Sequence, residues 1–181
     1  PIHKNTLFST RNFCIMNKEM WIWTELLAFD CEKPDYGIDA YLERVGFQVT
    51  GISFLLSSID FILLHQGMEE EQNLFPDICS RQGHEENEER KRQDWTNFQL
   101  RELVAGLKKR GIKVFCSIFI INMHNRYHRE WVSDHPEILM GDKIYGINNA
   151  FSMLARLKDG TLFEDIFIEK LSTVVRDYDF D

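Results

Sequence analysis

Two rhythms of apolar and polar positions run through the 181 residues, one of period two and one of three to four. Residues 20–27 (MWIWTELL) are short, aromatic and apolar, and a polar turn with Pro34 follows at 30–36, which predicts a first strand. From Ile38 the apolar positions fall at Tyr41, Leu42, Val45, Val49, Ile52, Leu55 and Leu56, a spacing that predicts one helical face. Gly46 and Gly51 each weaken that helix by up to about 1 kcal/mol, so a break is allowed there. Residues 59–65 (IDFILLH) then predict a buried second strand, closed by Gln66 and Gly67.

The stretch 68–94 is the longest polar one and carries the charge runs 69–71 and 85–92. Its length exceeds an ordinary connection and predicts a charged insertion, either a solvated loop or a lid over a site. Thr96 and Gln99 have the spacing of a capping box. The helix they open has Phe98, Leu103, Val104 and Leu107 on its apolar face, basic residues 108–110 against its C-terminal dipole, and Gly111 as its stop. Residues 112–121 (IKVFCSIFII) follow as a β-rich run, the pattern of a strand covered on both faces. A mixed segment, 124–149, predicts irregular chain. Thr161 and Glu164 predict a second capping box, and Phe163, Ile166, Phe167, Leu171, Val174, Val175 and Tyr178 the core face of a last helix. Residues 179–181 read as a turn into another strand.

Strand, helix, strand, insertion, helix, strand, loop, helix is the order of an α/β chain with right-handed crossovers and a parallel sheet. An open doubly wound sheet and a closed barrel share this beginning. No G-x-G-x-x-G after the first strand and no G-x-x-x-x-G-K-[ST] occurs, so the expected fold class is an incomplete parallel (β/α)8 barrel of about three β/α units, ending before strand four. Residues 1–15 read as an N-terminal tail without the apolar run of a signal peptide, and Met16 is a candidate start. The barrel portion is then 16–181.

Composition narrows the partners. A formal charge of −8 argues against nucleic acid and anionic lipid, and the longest apolar stretches fall short of the roughly 20 residues of a spanning helix. Cys14, Cys31, Cys79 and Cys116 contain no C-x-x-C pair, so the expectation is reduced thiols, a cytoplasmic setting, and neither cofactor nor thiol-bound metal.

The segment 97–118, NFQLRELVAGLKKRGIKVFCSI, resembles the helix and third strand of α-amylase-like and related glycoside hydrolase barrels, through Leu103, Val104, Arg110, Gly111, Ile112, Lys113 and Val114. Trp131 and His135-Pro136-Glu137 resemble the W-x-x-x-H-P-E element some of these barrels carry next, and VVRDYDFD at 174–181 is similar to their approach to strand four. Amylases carry an Asp in strand three followed by an Asn-His pair; here Ser117 stands at the Asp position, and Asn122 and His124 are separated by Met123.

The resemblance implies a carbohydrate-active hydrolase with its reacting groups at the C-terminal ends of the strands. Those ends read as Trp23, Thr24 and Glu25; His65 and Gln66; and Asn122, His124 and Arg126. Trp23, His65, Asn122, His124 and Arg126 are the candidate sugar contacts, an indole for the ring's C–H face and polar groups for its hydroxyls. Glycoside hydrolysis needs two carboxyl groups, and Glu25 is the one candidate here, so the main pair is expected on later strands and this portion is expected to be inactive alone. Two alternatives stand beside this one. His65, His124 and His128, with Glu25 or Asp181, would suit a metal-dependent hydrolase. A non-catalytic α/β ligand-binding module is the other. Open sheet edges predict self-association of a truncated portion, and a clean, cooperatively melting monomer would count against truncation.

Overall fold

The computed structural model describes residues 19–46, 48–56, 60–74, 95–118, 130–140 and 151–181. Strand β1 spans Trp21–Glu25 and runs into a 3-10 turn at Leu26–Ala28; helix α1 spans Ile38–Val45, strand β2 Gly51–Leu55 and the short helix α2 Asp60–Leu63. Helix α3 spans Asn97–Lys109, strand β3 Lys113–Ser117, the one-turn helix α4 Glu130–Asp134 and helix α5 Phe163–Tyr178. The three strands lie in the order β1-β2-β3, all parallel, with Trp23 beside Ser53 and Ser53 beside Phe115. The chain is α/β, and consecutive strands are neighbours throughout the described sheet.

The second strand lies earlier than the periodicity places it. Helix α1 ends at Val45 because Gly46 takes the left-handed conformation, φ +71°, and its N–H donates to the Leu42 carbonyl at 3.3 Å. Ile52 and Leu55, which continue the three-and-four spacing, belong to GISFL, a strand buried on nearly every residue. A short run that is mostly apolar matches either period, and here the glycine break decides between them. Residues 60–63 of the predicted strand are helical, and His65 follows a helix, not a strand. Gly51 is needed for a different reason than a helix break. A Cβ on it would lie 2.8 Å from the Trp21 indole, which covers the strand at that point.

Helix α3 forms as its sequence predicts. Thr96 Oγ1 accepts from the Gln99 N–H at 3.2 Å and Gln99 Oε1 accepts from the Thr96 N–H at 3.0 Å, closing the capping box. Leu100, Leu103, Val104 and Leu107 are buried along one side. At its C-terminal end, Arg110 reaches Asp39 on α1 at 2.7 Å. The second capping box is absent. Residues 156 and 162 pair across a tight turn, in which the Thr161 N–H donates to Asp159 Oδ1 at 2.9 Å and the Thr161 carbonyl accepts from Leu157. Helix α5 therefore starts after Leu162 without a side-chain cap, and Glu164 and Asp165 in its first turn complement its dipole instead.

Strand alternation sends Ile22, Ile52, Phe54, Val114 and Cys116 to one side of the sheet. All five belong to the core or pack against it, together with Ile38, Tyr41, Leu103, Val104, Val174 and Tyr178 of the helices. The other side carries Trp21, Trp23, Glu25, Gly51, Ser53, Leu55, Lys113, Phe115 and Ser117, and none of these is in that core cluster. The described helices thus cover one face of the sheet. The expectation that β3 is covered on both faces does not hold among the described residues: Val114 is buried, but Phe115 and Ser117 are half-buried on the more open side.

Candidate functional site

The open face owes its character to alternation within β1. In WIWTE, residues 21, 23 and 25 point away from the helices, so two indoles and a carboxylate share that side. Trp23 is 57% exposed and Trp21 44%, a large cost in apolar hydration for two residues placed side by side on a flat surface. Trp21 lies over Gly51 of β2 and against Phe115 of β3, with ring centroids 4.7 Å apart, so its plane is held by contacts from two strands. Across the sheet from Trp23, Ser53 and Ser117 join their hydroxyls in a hydrogen bond. Ser117 is the last residue of β3, and Glu25, half-buried, is the last of β1, in one row with Leu55. An aromatic platform bordered by hydroxyls, with a carboxylate at the strand ends, can stack on a C–H face and hydrogen-bond to neutral polar groups.

His65 lies elsewhere. Its ring sits in the helical layer, 5.3 Å from that of Tyr178, and its Nε2 is 2.8 Å from Asp177 Oδ2 on α5. The side chain is 4% exposed, and the Lys170 ammonium donates to its backbone carbonyl at 3.4 Å. The structure thus does not place His65 at a strand end beside Trp23. The displacement follows from the shift of the second strand to Gly51–Leu55. Asn122, His124, Arg126 and His128 lie outside the described residues. Among the described residues no group of three or more His, Cys, Asp or Glu side chains is arranged to hold a metal ion.

Two polar residues, Asn97 and Asp177, escaped the sequence reading, and Tyr178, expected on the core face of the last helix, is buried there with its hydroxyl. Asn97 is buried at the start of α3, where Oδ1 accepts from the Gln72 and Phe98 amides and Nδ2 donates to the Glu70 and Gly67 carbonyls. It fixes the chain at 67–72 to the helix. Asp177 holds His65. Tyr178 is wholly buried, its hydroxyl has no hydrogen-bond partner among the described residues, and burial pushes its pKa well above the usual phenol value. A cavity of about 250 Å³ is lined by Phe61, His65, Gln72, Asn97 and Tyr178, among others. The Tyr178 hydroxyl is closed off from solvent, so it does not offer its free proton to that cavity. A buried Asn at the first position of a capped helix is the sort of signal that sequence alone carries weakly; Asp177 needs its tertiary partner.

The W-x-x-x-H-P-E element acts as a clamp. Trp131 packs on the His135 ring at 4.2 Å, Glu137 Oε1 lies 3.5 Å from His135 Nδ1, and the same oxygen accepts from the Lys158 N–H at 3.2 Å. Hydrogen bonds from backbone amides, its own and that of Lys158, hold the Glu137 carboxyl below the usual range. The turn at Pro136–Ile138 is thereby tied to the loop that leads into α5. Cys116 behaves as a small hydrophobe, its thiol pKa raised by burial.

Comparison with protein-family models, curated proteins and solved structures finds no match to this chain. No helix among the described residues is long and apolar enough to cross a membrane.

Proposed function

We propose that this chain is the opening portion of a carbohydrate-active (β/α)8 barrel of the glycoside hydrolase kind, in which the open sheet face contributes to sugar binding and the main carboxylate pair lies outside these 181 residues. One observation carries the reading: three parallel strands in consecutive order have the described helices packed on one face, and the opposite face presents Trp21, Trp23 and the Ser53–Ser117 hydroxyl pair. Consecutive parallel strands with helices on one face are how a closed barrel begins; one half of a doubly wound sheet begins in the same way, its order reversing only at the switch point. In a barrel, the face opposite the helices is the interior, and the C-terminal strand ends form the site.

Under this reading Trp23 is the stacking surface for a pyranose ring, the two serines orient hydroxyls, and Glu25 supplies a hydrogen-bonding carboxylate at the rim. Asn122, His124 and Arg126 would extend the set from the chain after β3. The thiols belong to a reduced, cytoplasmic setting, and sheet edges left unpaired favour association of copies. The metal-dependent reading has no support in the position of His65, whose ring is engaged by Asp177 in the helical layer while Glu25 faces the other side of the sheet.

Calorimetric titration with neutral oligosaccharides tests the proposal. Saturable binding is expected for the chain, and a loss of at least tenfold in affinity for Trp23→Ala with its melting temperature unchanged. No binding to any neutral oligosaccharide, in a chain that melts cooperatively as a monomer, would overturn it in favour of a non-catalytic α/β module with another ligand.

A further inference from the structure

The cavity of about 250 Å³ lies on the helical side, between the end of α2, the start of α3 and the end of α5. Its floor is aromatic. The Tyr178 ring stands 5.6 Å from that of Phe61 and 5.3 Å from that of His65, and all of these residues are buried. Its mouth is made of amide residues, with Gln66 and Asn73 exposed and Gln72 half-buried. No Lys, Arg, Asp or Glu is among the described lining residues. The walls are set before any ligand arrives. The Asn97 side chain bonds to backbone groups of Gly67, Glu70 and Gln72, its N–H donates to the Gln72 carbonyl at 3.0 Å, and the Leu74 N–H donates to the Trp95 carbonyl at 2.8 Å. From the other side, Asp177 holds His65 at Nε2 and Lys170 holds its carbonyl. A carboxylate only accepts, so the Nε2 hydrogen is directed to Asp177, and in the uncharged imidazole Nδ1 is the acceptor left for a ligand.

We propose that this cavity binds a small, uncharged, planar nitrogen heterocycle of nucleobase size, with its face against the Phe61 and Tyr178 rings, an edge N–H at His65 Nδ1 and its remaining edge at the mouth amides. Each part of that class follows from the lining. An ionised ligand would enter without a partner of opposite charge, at a high desolvation cost. A flat ring extends the cluster that Phe61, His65 and Tyr178 already form. An amide sets a donor beside an acceptor, which is the pattern such a heterocycle carries on its edge. The volume lies just below the roughly 300–1,000 Å³ of pockets for drug-sized molecules, so the ligand is limited to a ring or two. Phosphorylated forms are disfavoured, because the exposed Glu69, Glu70 and Glu71 lead directly into the mouth at Gln72. The site is separate from the open sheet face and holds whether or not that face binds sugar.

Calorimetric titration of the chain with adenine and with uracil, followed by chemical-shift mapping, tests it. One-to-one saturable binding of at least one base is expected, with shifts centred on His65, Gln72 and Leu74 and with Trp23 unmoved. The nucleoside 5′-monophosphate of the bound base should bind at least tenfold more weakly. Asn73→Trp, at an exposed position, fills the mouth and should abolish binding with the melting temperature unchanged. His65→Gln removes the ring acceptor and should lower affinity about tenfold, the worth of one good hydrogen bond. Binding of neither base, toluene bound as tightly as the better base, a nucleotide bound as tightly as its base, or unchanged affinity in Asn73→Trp would overturn the assignment.

Discussion

The two faces of the sheet differ more than their sequences do. Ile22, Ile52, Phe54 and Val114 on one face and Trp21, Trp23 and Phe115 on the other are all apolar, yet the first set is enclosed by helices and the second has two indoles in contact with solvent. Hydrophobic burial rewards the first arrangement and penalises the second by roughly 25 cal/mol for each Å² left in water. A soluble fold keeps such a surface when something else covers or uses it, whether later strands, a ligand or another copy. Stability therefore resides mainly on the helical side, and the proposed function assigns binding to the open side.

Substitutions sharpen that division, and the largest effect belongs to the helical side. Leu103→Ala removes a fully buried side chain between α3 and the sheet and should cost about 2–5 kcal/mol in denaturant unfolding, with affinity for sugar unchanged in the fraction that stays folded. Gly51→Ala attacks the boundary, since its Cβ would meet the Trp21 indole at 2.8 Å; displacing that ring should cost about 1–3 kcal/mol and alter the tryptophan emission. His65→Ala removes the contact to Asp177 Oδ2, leaving that carboxylate only Arg176, and should lower stability by roughly 1–3 kcal/mol while leaving any sugar affinity intact. A fall in affinity instead would place His65 back in the site.

Trp23→Ala, on the open side, should change stability by less than about 0.5 kcal/mol. The smallest effect is expected from acid. The Glu137 carboxyl is held below its ordinary value of 4.5, so its stabilisation is complete above that pH and is lost as pH falls through the lowered folded value. Glu137→Gln should flatten this last part of the acid-unfolding curve by lowering stability slightly at neutral pH and leaving it unchanged in acid.

Much of the fold was legible in the sequence where local signals act alone. The Thr96–Gln99 box, the buried stripe of Leu103, Val104 and Leu107, and the strand at 21–25 depend on neighbours a few residues away. The second strand was misplaced because GISFL, buried at all but Ser53, keeps the helical spacing by coincidence, while Gly46 sets the true boundary. Thr161 was misread because a turn partner, Asp159, competes for the role of cap. In the site, Trp23 and Glu25 were legible as strand-end residues, and His65 inherited the error in the strand. Asn97 and Asp177 act through partners 25 to 112 residues away, which no local pattern records. Ser53 and Ser117 meet only once the strands are aligned, 64 residues apart in sequence.

Chemical-shift mapping during titration with a neutral oligosaccharide tests the central claim most directly, because each face of the sheet reports through its own residues. The account predicts saturable shifts centred on Trp23 and its indole N–H, with Ser53, Phe115, Ser117 and Glu25 following and with Phe54, Val104 and Tyr178 unmoved. Shifts centred on His65, Gln72 and Tyr178, with Trp23 silent, would contradict it.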